Sequence, residues 1–181
     1  MREMSLHILD IIENAVRAGA SAIIVTFIED CRRDTLQIIV EDDGPGLKVP
    51  SETALDPFFT TKNGKRTGLG LSLLQSTAEQ ANGQVVLRQS ALGGLAVEAT
   101  VQLSHIDRIP LGDITATVSS VVCTNPELDL LCRFVVDGEE RLVRVPDVAR
   151  ELPIDKRNGL AVARQVAERI RTSIETLPVR L

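Results

Sequence analysis

The residues that first indicate chemistry in this sequence stand at the end of an apolar, strand-like run. There Asp42 is followed by Asp43 and by the Gly-x-Gly pair Gly44 and Gly46. An ionised aspartate only accepts hydrogen bonds, so a carboxylate fixed at a strand end suits an exocyclic amine such as that of adenine. The two glycines let the backbone turn tightly and pass close to a ligand. The pattern indicates a nucleotide pocket, although Asp-Gly and Pro-Gly pairs also mark ordinary turns.

A second group of polar residues follows a helical spacing near the start of the chain. Glu3, His7, Asp10, Asn14 and Arg17 lie three and four residues apart, on one face of a helix predicted over residues 5–18. This face is either the solvent side of the helix or the wall of a site. In the second case the amide oxygen of Asn14 suits a hard cation such as Mg²⁺. Asp10, one turn earlier, could then orient or deprotonate a water molecule.

Hydroxyl groups and cations cluster in a long irregular segment, residues 47–67, which contains Thr60, Lys62, Lys65 and Arg66. A loop of this length inside a compact domain is usually functional or mobile. The alternative interpretation is a solvated basic loop.

This segment leads into a glycine-rich helix start, Thr67-Gly68-Leu69-Gly70-Leu71, with the helix predicted to end near residue 81. Backbone N–H groups around Gly68 and Gly70 are free to face an anion, and the helix dipole favours negative charge at that end. Because Gly-x-Gly before a helix is also a common cap, the motif alone leaves both interpretations open.

Runs of β-branched residues predict the strands that must position these groups. Residues 21–28 and 35–40 form an antiparallel pair that leads to Asp42, and residues 84–89 and 95–103 form a hairpin. A short helical turn is expected near residues 51–55. Further along, we predict a helix over 113–123 with Asp113 as N-cap, a hairpin of strands 128–136 and 141–145 around Asp137-Gly138, and a last helix over 158–177.

Composition and charge exclude several classes of protein. The 181 residues are 44% hydrophobic and 25% charged, as expected of a folded protein of ordinary domain size. A net charge of −5 with no Trp or Tyr argues against nucleic acid as the main partner. No run is long enough to span a bilayer and no signal peptide is evident, so we expect a cytoplasmic protein with no membrane partner. The three scattered cysteines, at positions 31, 123 and 132, are expected to be buried free thiols.

Taken in order, the four motifs resemble the GHKL ATP-binding fold, which sensor histidine kinases, DNA gyrase, MutL and anti-sigma serine kinases share. The resemblance covers about residues 1–104 and is closest to histidine kinase catalytic domains. Residues 57–62, Pro-Phe-Phe-Thr-Thr-Lys, match their F box, and residues 67–72, Thr-Gly-Leu-Gly-Leu-Ser, match their second glycine box. The implied fold, known as the Bergerat ATP-binding fold, is α+β: a two-layer sandwich of a mixed, mostly antiparallel sheet with helices on one face.

The resemblance also implies the ligands, ATP and Mg²⁺, and the roles of individual residues. Asn14 would hold Mg²⁺ and Asp42 would accept a hydrogen bond from the adenine amine. The remaining cofactor-binding positions that match family motifs are Gly44, Gly46, Thr60, Lys62, Gly68, Leu69 and Gly70. Of these, Gly44 and Gly46 would shape the adenine-side turn, and Gly68 and Gly70 would receive phosphate. Lys62, alone or with Lys65 or Arg66, would neutralise the terminal phosphates when the lid closes.

Two features depart from the family pattern. Hydrolysing members carry a glutamate four residues before the Mg²⁺-binding asparagine, whereas this chain has Asp10 there. The shorter carboxylate leaves direct attack geometry in doubt. In addition, His7 and His105 stand outside any phosphoacceptor context, so autophosphorylation of the usual histidine-kinase kind is not expected.

Residues 105–181 are expected to form an α+β appendage that packs on or extends the ATP-binding sheet. Their first part, Ser-His-Ile-Asp-Arg followed by Pro-Leu-Gly-Asp, resembles a group of stand-alone ATP-binding proteins of anaerobic bacteria that are frequently encoded beside redox enzymes. His105, Asp107 and Arg108 form either a switch or partner site or, as the favoured interpretation, a structural polar junction.

Three functions follow from the resemblance. In the favoured one the protein binds Mg-ATP and acts in trans on an unidentified, redox-linked partner protein, by phosphorylating it or by binding it in a nucleotide-dependent way. In the second it is a self-contained ATPase switch with a closing lid, working as a homodimer. In the third it is an ATP sensor without chemistry, in which ordering of the lid is the signal.

Overall fold

A computed structural model describes residues 3–56 and 69–178 of the chain. Its elements, in chain order, are α1 (Met4–Arg17), β1 (Ala22–Asp30), β2 (Thr35–Asp42), α2 (Ser51–Leu55), α3 (Leu69–Gln80), β3 (Gln84–Gln89), β4 (Leu95–Gln102), α4 (Ile114–Thr124), β5 (Asp129–Val136), β6 (Glu139–Arg144), α5 (Val145–Glu151), a 3₁₀ turn (Ile154–Lys156) and α6 (Gly159–Glu175). In the described ranges no helix is both long and apolar enough to cross a membrane.

The six strands form one mixed sheet in the order β3-β4-β2-β1-β5-β6. All neighbouring strands are antiparallel except β1 and β5, which run parallel. The predicted fold class, a two-layer α+β sandwich with a mostly antiparallel sheet, is confirmed.

One face of the sheet makes the core with the helices. Along β2 the side chains alternate strictly between buried and half-buried, as the two-residue period of a strand requires. Phe27 on β1 and Phe134 on β5 are register partners whose rings stack with centroids 5.2 Å apart and planes at 6°. Because Phe134 belongs to the tail, the core runs continuously across the predicted boundary at residues 104 and 105, and that boundary stays a prediction.

The tail differs from its predicted elements at one place. Residues 141–145 were expected to be strand, but β6 ends at Arg144 and Val145 begins helix α5. Pro146 explains the change, because proline lacks the N–H that a strand needs and is tolerated in the first turn of a helix. The apolar positions then follow a helical period, with Val145 and Val148 both buried. Neither α5 nor the 3₁₀ turn was predicted from the sequence.

The segment that joins β4 to α4 forms backbone hydrogen bonds with the N-terminus of α1. The carbonyl oxygens of Pro110 and Leu111 accept hydrogen bonds from the N–H groups of Met4 at 3.0 Å and Ser5 at 2.8 Å. These N–H groups belong to the first turn of α1, which has no intrahelical acceptors for them. Asp113 caps α4 by accepting from the N–H of Ala116 at 2.8 Å, as predicted.

The expectation of three buried thiols is wrong for two of them. All three cysteines are free, but only Cys132, in the middle of β5, is buried, whereas Cys31 and Cys123 are exposed. Burial raises the pKa of Cys132 to about 12. Cys31 lies in the β1–β2 turn and Cys123 near the end of α4, where the chain meets solvent.

Candidate functional site

Asp42 lies at the end of β2 with only 7% of its surface exposed. Its Oδ1 accepts hydrogen bonds from the N–H of Gly44 at 2.8 Å and of Leu95 at 3.3 Å. The Asp42 carbonyl oxygen accepts from the N–H of Gly94 at 3.1 Å. The carboxylate is therefore held from two sides, by its own turn and by the start of the neighbouring strand β4.

The second oxygen of this carboxylate, Oδ2, has no hydrogen-bond donor among residues 3–56 and 69–178. Since an ionised carboxylate oxygen can only accept hydrogen bonds, this atom is available to a donor group of a ligand. The prediction placed Asp42 at the end of its strand, as the structure has it.

The local geometry of the turn after Asp42 requires glycine at both positions 44 and 46. Gly46 has a φ of +69°, in the region that favours glycine. A Cβ on Gly44 would lie 2.9 Å from Asp42 Oδ1, so the backbone must be bare for the carboxylate to bind its N–H. Gly94, which was not predicted as a site residue, serves the same purpose from the β3–β4 turn, where a Cβ would also overlap Asp42 Oδ1. The adjacent glycines Gly93 and Gly94 were the sequence feature that could have indicated this close approach.

Asp43 has a different, structural role. Its carboxylate accepts from the hydroxyl of Ser21 at 2.6 Å and from the N–H groups of Ser21 at 2.7 Å and Ala22 at 2.9 Å. The hydrogen bond from the Ser21 hydroxyl is the largest cause that holds the pKa of Asp43 below its ordinary value. Asp43 thus fastens the start of β1 to the end of β2.

A second polar cluster lies on α1. Asn14 Nδ2 donates to Asp10 Oδ2 at 3.2 Å, and Arg17 Nη2 donates to Asn14 Oδ1 at 2.6 Å. Arg17 Nη2 also lies 4.0 Å from Asp10 Oδ1. The helical spacing brings all three together, as the stripe on α1 indicated. Arg17 was not predicted as a site residue, although its place three residues after Asn14 was a signal.

The oxygen atoms of this cluster fit Mg²⁺. Asn14 and Asp10 offer the hard oxygen ligands that Mg²⁺ prefers, and a guanidinium cation already lies against Asn14 Oδ1. The described part of the chain has no group of three His, Cys, Asp or Glu side chains that could hold a metal ion. Such a sparse set suits Mg²⁺ that receives its other ligands from water and substrate phosphates.

Helix α3 approaches the same cluster. Its first described residue is Leu69, and the next, Gly70, lies so close to Asp10 that a Cβ there would overlap Asp10 Oδ2. The structure therefore brings the predicted phosphate-binding helix start against the predicted metal-binding helix. Thr60, Lys62 and Gly68, which were also predicted to bind cofactor, lie outside the described residues.

Two other residues of the polar stripe take no part in this cluster. His7 is 1% exposed and faces α3, where its Nε2 lies 3.4 Å from the Thr77 hydroxyl. Burial lowers the pKa of His7. Glu3 precedes the first turn of α1 and accepts from the Ser5 hydroxyl at 3.2 Å. The stripe is therefore not the solvent side of the helix as a whole.

The polar residues after β4 make local structural contacts. Arg108 Nε donates to the Leu103 carbonyl at 2.8 Å, and the N–H of Asp107 donates to His105 Nδ1 at 3.1 Å. These bonds stabilise the turn that leads to Pro110, in keeping with a structural junction.

Comparison with known proteins supplies a family and several relatives. A family model described as histidine kinase-, DNA gyrase B- and HSP90-like ATPase matches residues 3–105. Sensor histidine kinase CpxA of Escherichia coli strain K12 is 36% identical over 92 residues, which make up 48% of this chain and 20% of CpxA. Sensor protein PhoQ of the same strain is 33% identical over 86 residues, 44% of this chain and 17% of PhoQ. This chain thus spans no more than a fifth of either relative.

Among solved structures, the ATP binding domain of PrrB from Mycobacterium tuberculosis is similar to this chain. The sequence identity is 26% and the TM-score is 0.42, with 54% of this chain and 64% of that chain covered.

Proposed function

Because the chain belongs to the histidine kinase-, DNA gyrase B- and HSP90-like ATPase family, we propose that it binds ATP with Mg²⁺ and acts on a separate protein. It does so by transferring phosphate to that protein or by binding it in a nucleotide-dependent way. The observation that carries the proposal is the carboxylate of Asp42, held by backbone N–H groups through one oxygen while its other oxygen has no partner among the described residues.

At the adenine end, this carboxylate selects the base. Asp42 Oδ2 accepts a hydrogen bond from the exocyclic amine of adenine, and a carbonyl group at the same position, as in guanine, is repelled because both groups are acceptors. The backbone N–H groups that hold Oδ1 keep the carboxylate from turning away.

At the phosphate end, Asn14 Oδ1 would hold Mg²⁺, which neutralises phosphate charge when it is bound. Arg17 must leave Asn14 Oδ1 for that ligand atom to become free, and its guanidinium is then available to the phosphates. With 54% of its side chain exposed, Arg17 has room to make this movement.

A second candidate is hydrolysis by the protein alone. It is favoured by the position of Asp10, whose carboxylate lies between Asn14 and the backbone of Gly70. A water molecule held there by Asp10 would be close to both the metal ligand and the start of α3. Asp10→Asn should then abolish turnover while nucleotide binding persists.

The experiment that tests both candidates follows γ-phosphate-labelled Mg-ATP incubated with the purified protein, with Asn14→Ala as the matched blank. Calorimetry on the same samples measures affinity with and without Mg²⁺. We expect the parent to bind ATP, and Asn14→Ala to lose the Mg²⁺-dependent part of the affinity, about tenfold or 1.4 kcal/mol, while keeping adenine binding.

Bound but intact ATP supports action in trans, and release of free phosphate above the blank supports hydrolysis by the protein alone. Absence of ATP binding by the parent at millimolar nucleotide would overturn the proposal, as would equal Mg²⁺ dependence in parent and Asn14→Ala.

A further inference from the structure

A groove of about 320 Å³ runs between helix α1, which carries the nucleotide-site cluster, and helix α4 of the tail. Its floor is apolar and is made by Leu9, Ile12 and Val16 of α1 and by Val121 of α4. Ile12 and Val121 are buried, whereas Leu9 and Val16 are only partly covered. Because α4 lies beyond the matched residues 3–105, the groove exists only through the tail.

The rim of the groove offers hydrogen-bond acceptors. Glu13 is exposed and has no hydrogen bond or ion pair with another described residue. Asn125 uses its Nδ2 to donate to the Val121 carbonyl at 3.0 Å and to the Thr124 hydroxyl at 2.9 Å, so its Oδ1 remains for a ligand. Among the described residues that line the groove, Arg17 is the one cation, and its guanidinium already lies against Asn14 and Asp10.

This combination fits a long basic side chain. The methylene groups of a lysine or arginine cover an apolar floor while the charged head reaches acceptors at its edge, as such side chains do on protein surfaces. The net charge of −5 favours the approach of a basic segment further. A carboxylate or phosphate ligand would instead meet Glu13 and the oxygen of Asn125.

We propose that the groove between α1 and α4 is the docking site of a partner protein, which inserts an apolar side chain and an adjacent lysine or arginine from one segment. The rim residues Glu13, Ser120 and Thr124 are exposed, so the groove admits a chain segment laid along both helices. This proposal rests on the proposed function, because action on a separate protein requires a docking site for it. The three rim residues belong neither to the Asp42 turn nor to the Asp10–Asn14 pair.

The groove also touches the nucleotide cluster through α1. Arg17, which lines the groove, donates to Asn14 Oδ1. A partner on the groove therefore lies beside the residue that must move when Mg-ATP binds. Docking and nucleotide binding share a helix without sharing a ligand atom.

The test is selection of a random twelve-residue peptide library on the full-length protein, followed by anisotropy with the enriched peptides labelled with fluorescein. Two variants change the groove: Ser120→Trp fills it from α4, and Glu13→Lys reverses the charge of its rim. Glu175→Lys is the matched control, since it makes the same change of charge at an exposed position near the end of α6. Calorimetry with Mg-ATP is run on every variant.

We expect the enriched peptides to share an apolar residue next to lysine or arginine. Their affinity should fall at least about tenfold in Ser120→Trp and in Glu13→Lys and stay within about twofold in Glu175→Lys. Peptides without a basic residue, peptides that bind the filled variant as well as the parent, or no enrichment would each overturn the proposal. Because Mg-ATP binding is measured separately, a protein that binds nucleotide but no such peptide refutes the groove alone, and one that binds peptide but no nucleotide refutes the proposed function alone.

Discussion

Asp42 and Asp43, two adjacent carboxylates at the end of β2, have different hydrogen-bond partners. Asp42 points to the buried side of the sheet and keeps an oxygen without a partner among the described residues, whereas Asp43 uses both oxygens on Ser21 and Ala22. Asp42 is the last residue of β2 and Asp43 the first residue after it, so two identical carboxylates in sequence have different surroundings.

Asp42→Asn should lower the affinity for ATP at least about tenfold, or 1.4 kcal/mol, and remove the preference for ATP over GTP. The amide can still accept from Gly44 through one atom, but it then presents a donor where the adenine amine also donates. Competition of both nucleotides with a fluorescent ATP analogue measures the effect.

Asp43→Asn is the comparison variant. It should keep the preference for ATP and lower the free energy of unfolding, because its contacts lie within the fold. If Asp43→Asn loses the nucleotide preference and Asp42→Asn keeps it, the adenine site is assigned to the wrong residue.

At the scale of secondary-structure elements, the connection before α4 holds the start of α1. Gly112 has a φ of +81°, and a Cβ there would run into the side chains of Glu3 and Ser5 at that helix start. The connection therefore links the tail to the helix that carries Asp10 and Asn14.

Gly112→Ala should lower the free energy of unfolding by about 1–3 kcal/mol, because the alanine Cβ both strains the backbone and clashes with side chains at the start of α1. Gly138→Ala separates the two effects, because Gly138 has a φ of +92° but nothing within 4 Å of a Cβ. It should cost about 1 kcal/mol through strain alone. Chemical denaturation measures both variants, and equal losses would mean that the contact with α1 contributes nothing.

The packing of α1 against α3 depends on pH through His7. Burial lowers its pKa from the ordinary value of 6.5, and its Nδ1 has no hydrogen-bond partner among residues 3–56 and 69–178. The unfolded chain therefore binds the proton more readily than the folded protein does. The stability that results is present above pH 6.5 and is lost as the pH falls below 6.5 towards the lowered pKa.

We expect the free energy of unfolding to decrease between about pH 7 and pH 5, and His7→Leu to flatten that decrease. Urea denaturation at a series of pH values gives the slope of the free energy of unfolding against pH. A substitution that only raises or lowers stability equally at every pH leaves this slope unchanged. His105→Gln, which removes the other histidine, should keep the slope of the parent. A parental slope in His7→Leu would show that another group is responsible.

At the scale of the whole molecule, the tail completes the sheet. Strand β5 pairs with β1 over eight residues, from Ala22 with Asp129 to Glu29 with Val136, and α4 packs on both α1 and α6. Without the tail, β1 would become an edge strand and Phe27 would lose the ring on which it stacks.

A fragment of residues 1–104 should therefore fail to fold cooperatively, although it contains every residue predicted to bind ATP or Mg²⁺. Thermal unfolding followed by circular dichroism, with the whole chain as control, tests this expectation. A fragment with a sharp transition that binds ATP would show that residues 1–104 form an independent domain.

Local patterns predicted most elements because each carried its own period or turn signal. The helix bounds of α1 and the strand bounds of β2 and β3 were close to the structure, and Asp137 and Gly138 form the expected turn with φ values of 48° and 92°. Helix α5 was not predicted, because the few residues around Pro146 fit strand alternation as well as a helical turn. Short apolar runs do not distinguish the two by periodicity.

The sequence by itself determined the family and the fold class, and it predicted Asp10, Asn14 and Asp42 as site residues, because motif spacing within one helix or at one strand end is a local property. Only the tertiary structure decided that Gly94 and Leu95 hold Asp42, that Gly70 lies against Asp10 and that β5 joins β1. These contacts join residues far apart in the chain, and their geometry follows from how strands pair and helices pack, which no single stretch of sequence encodes.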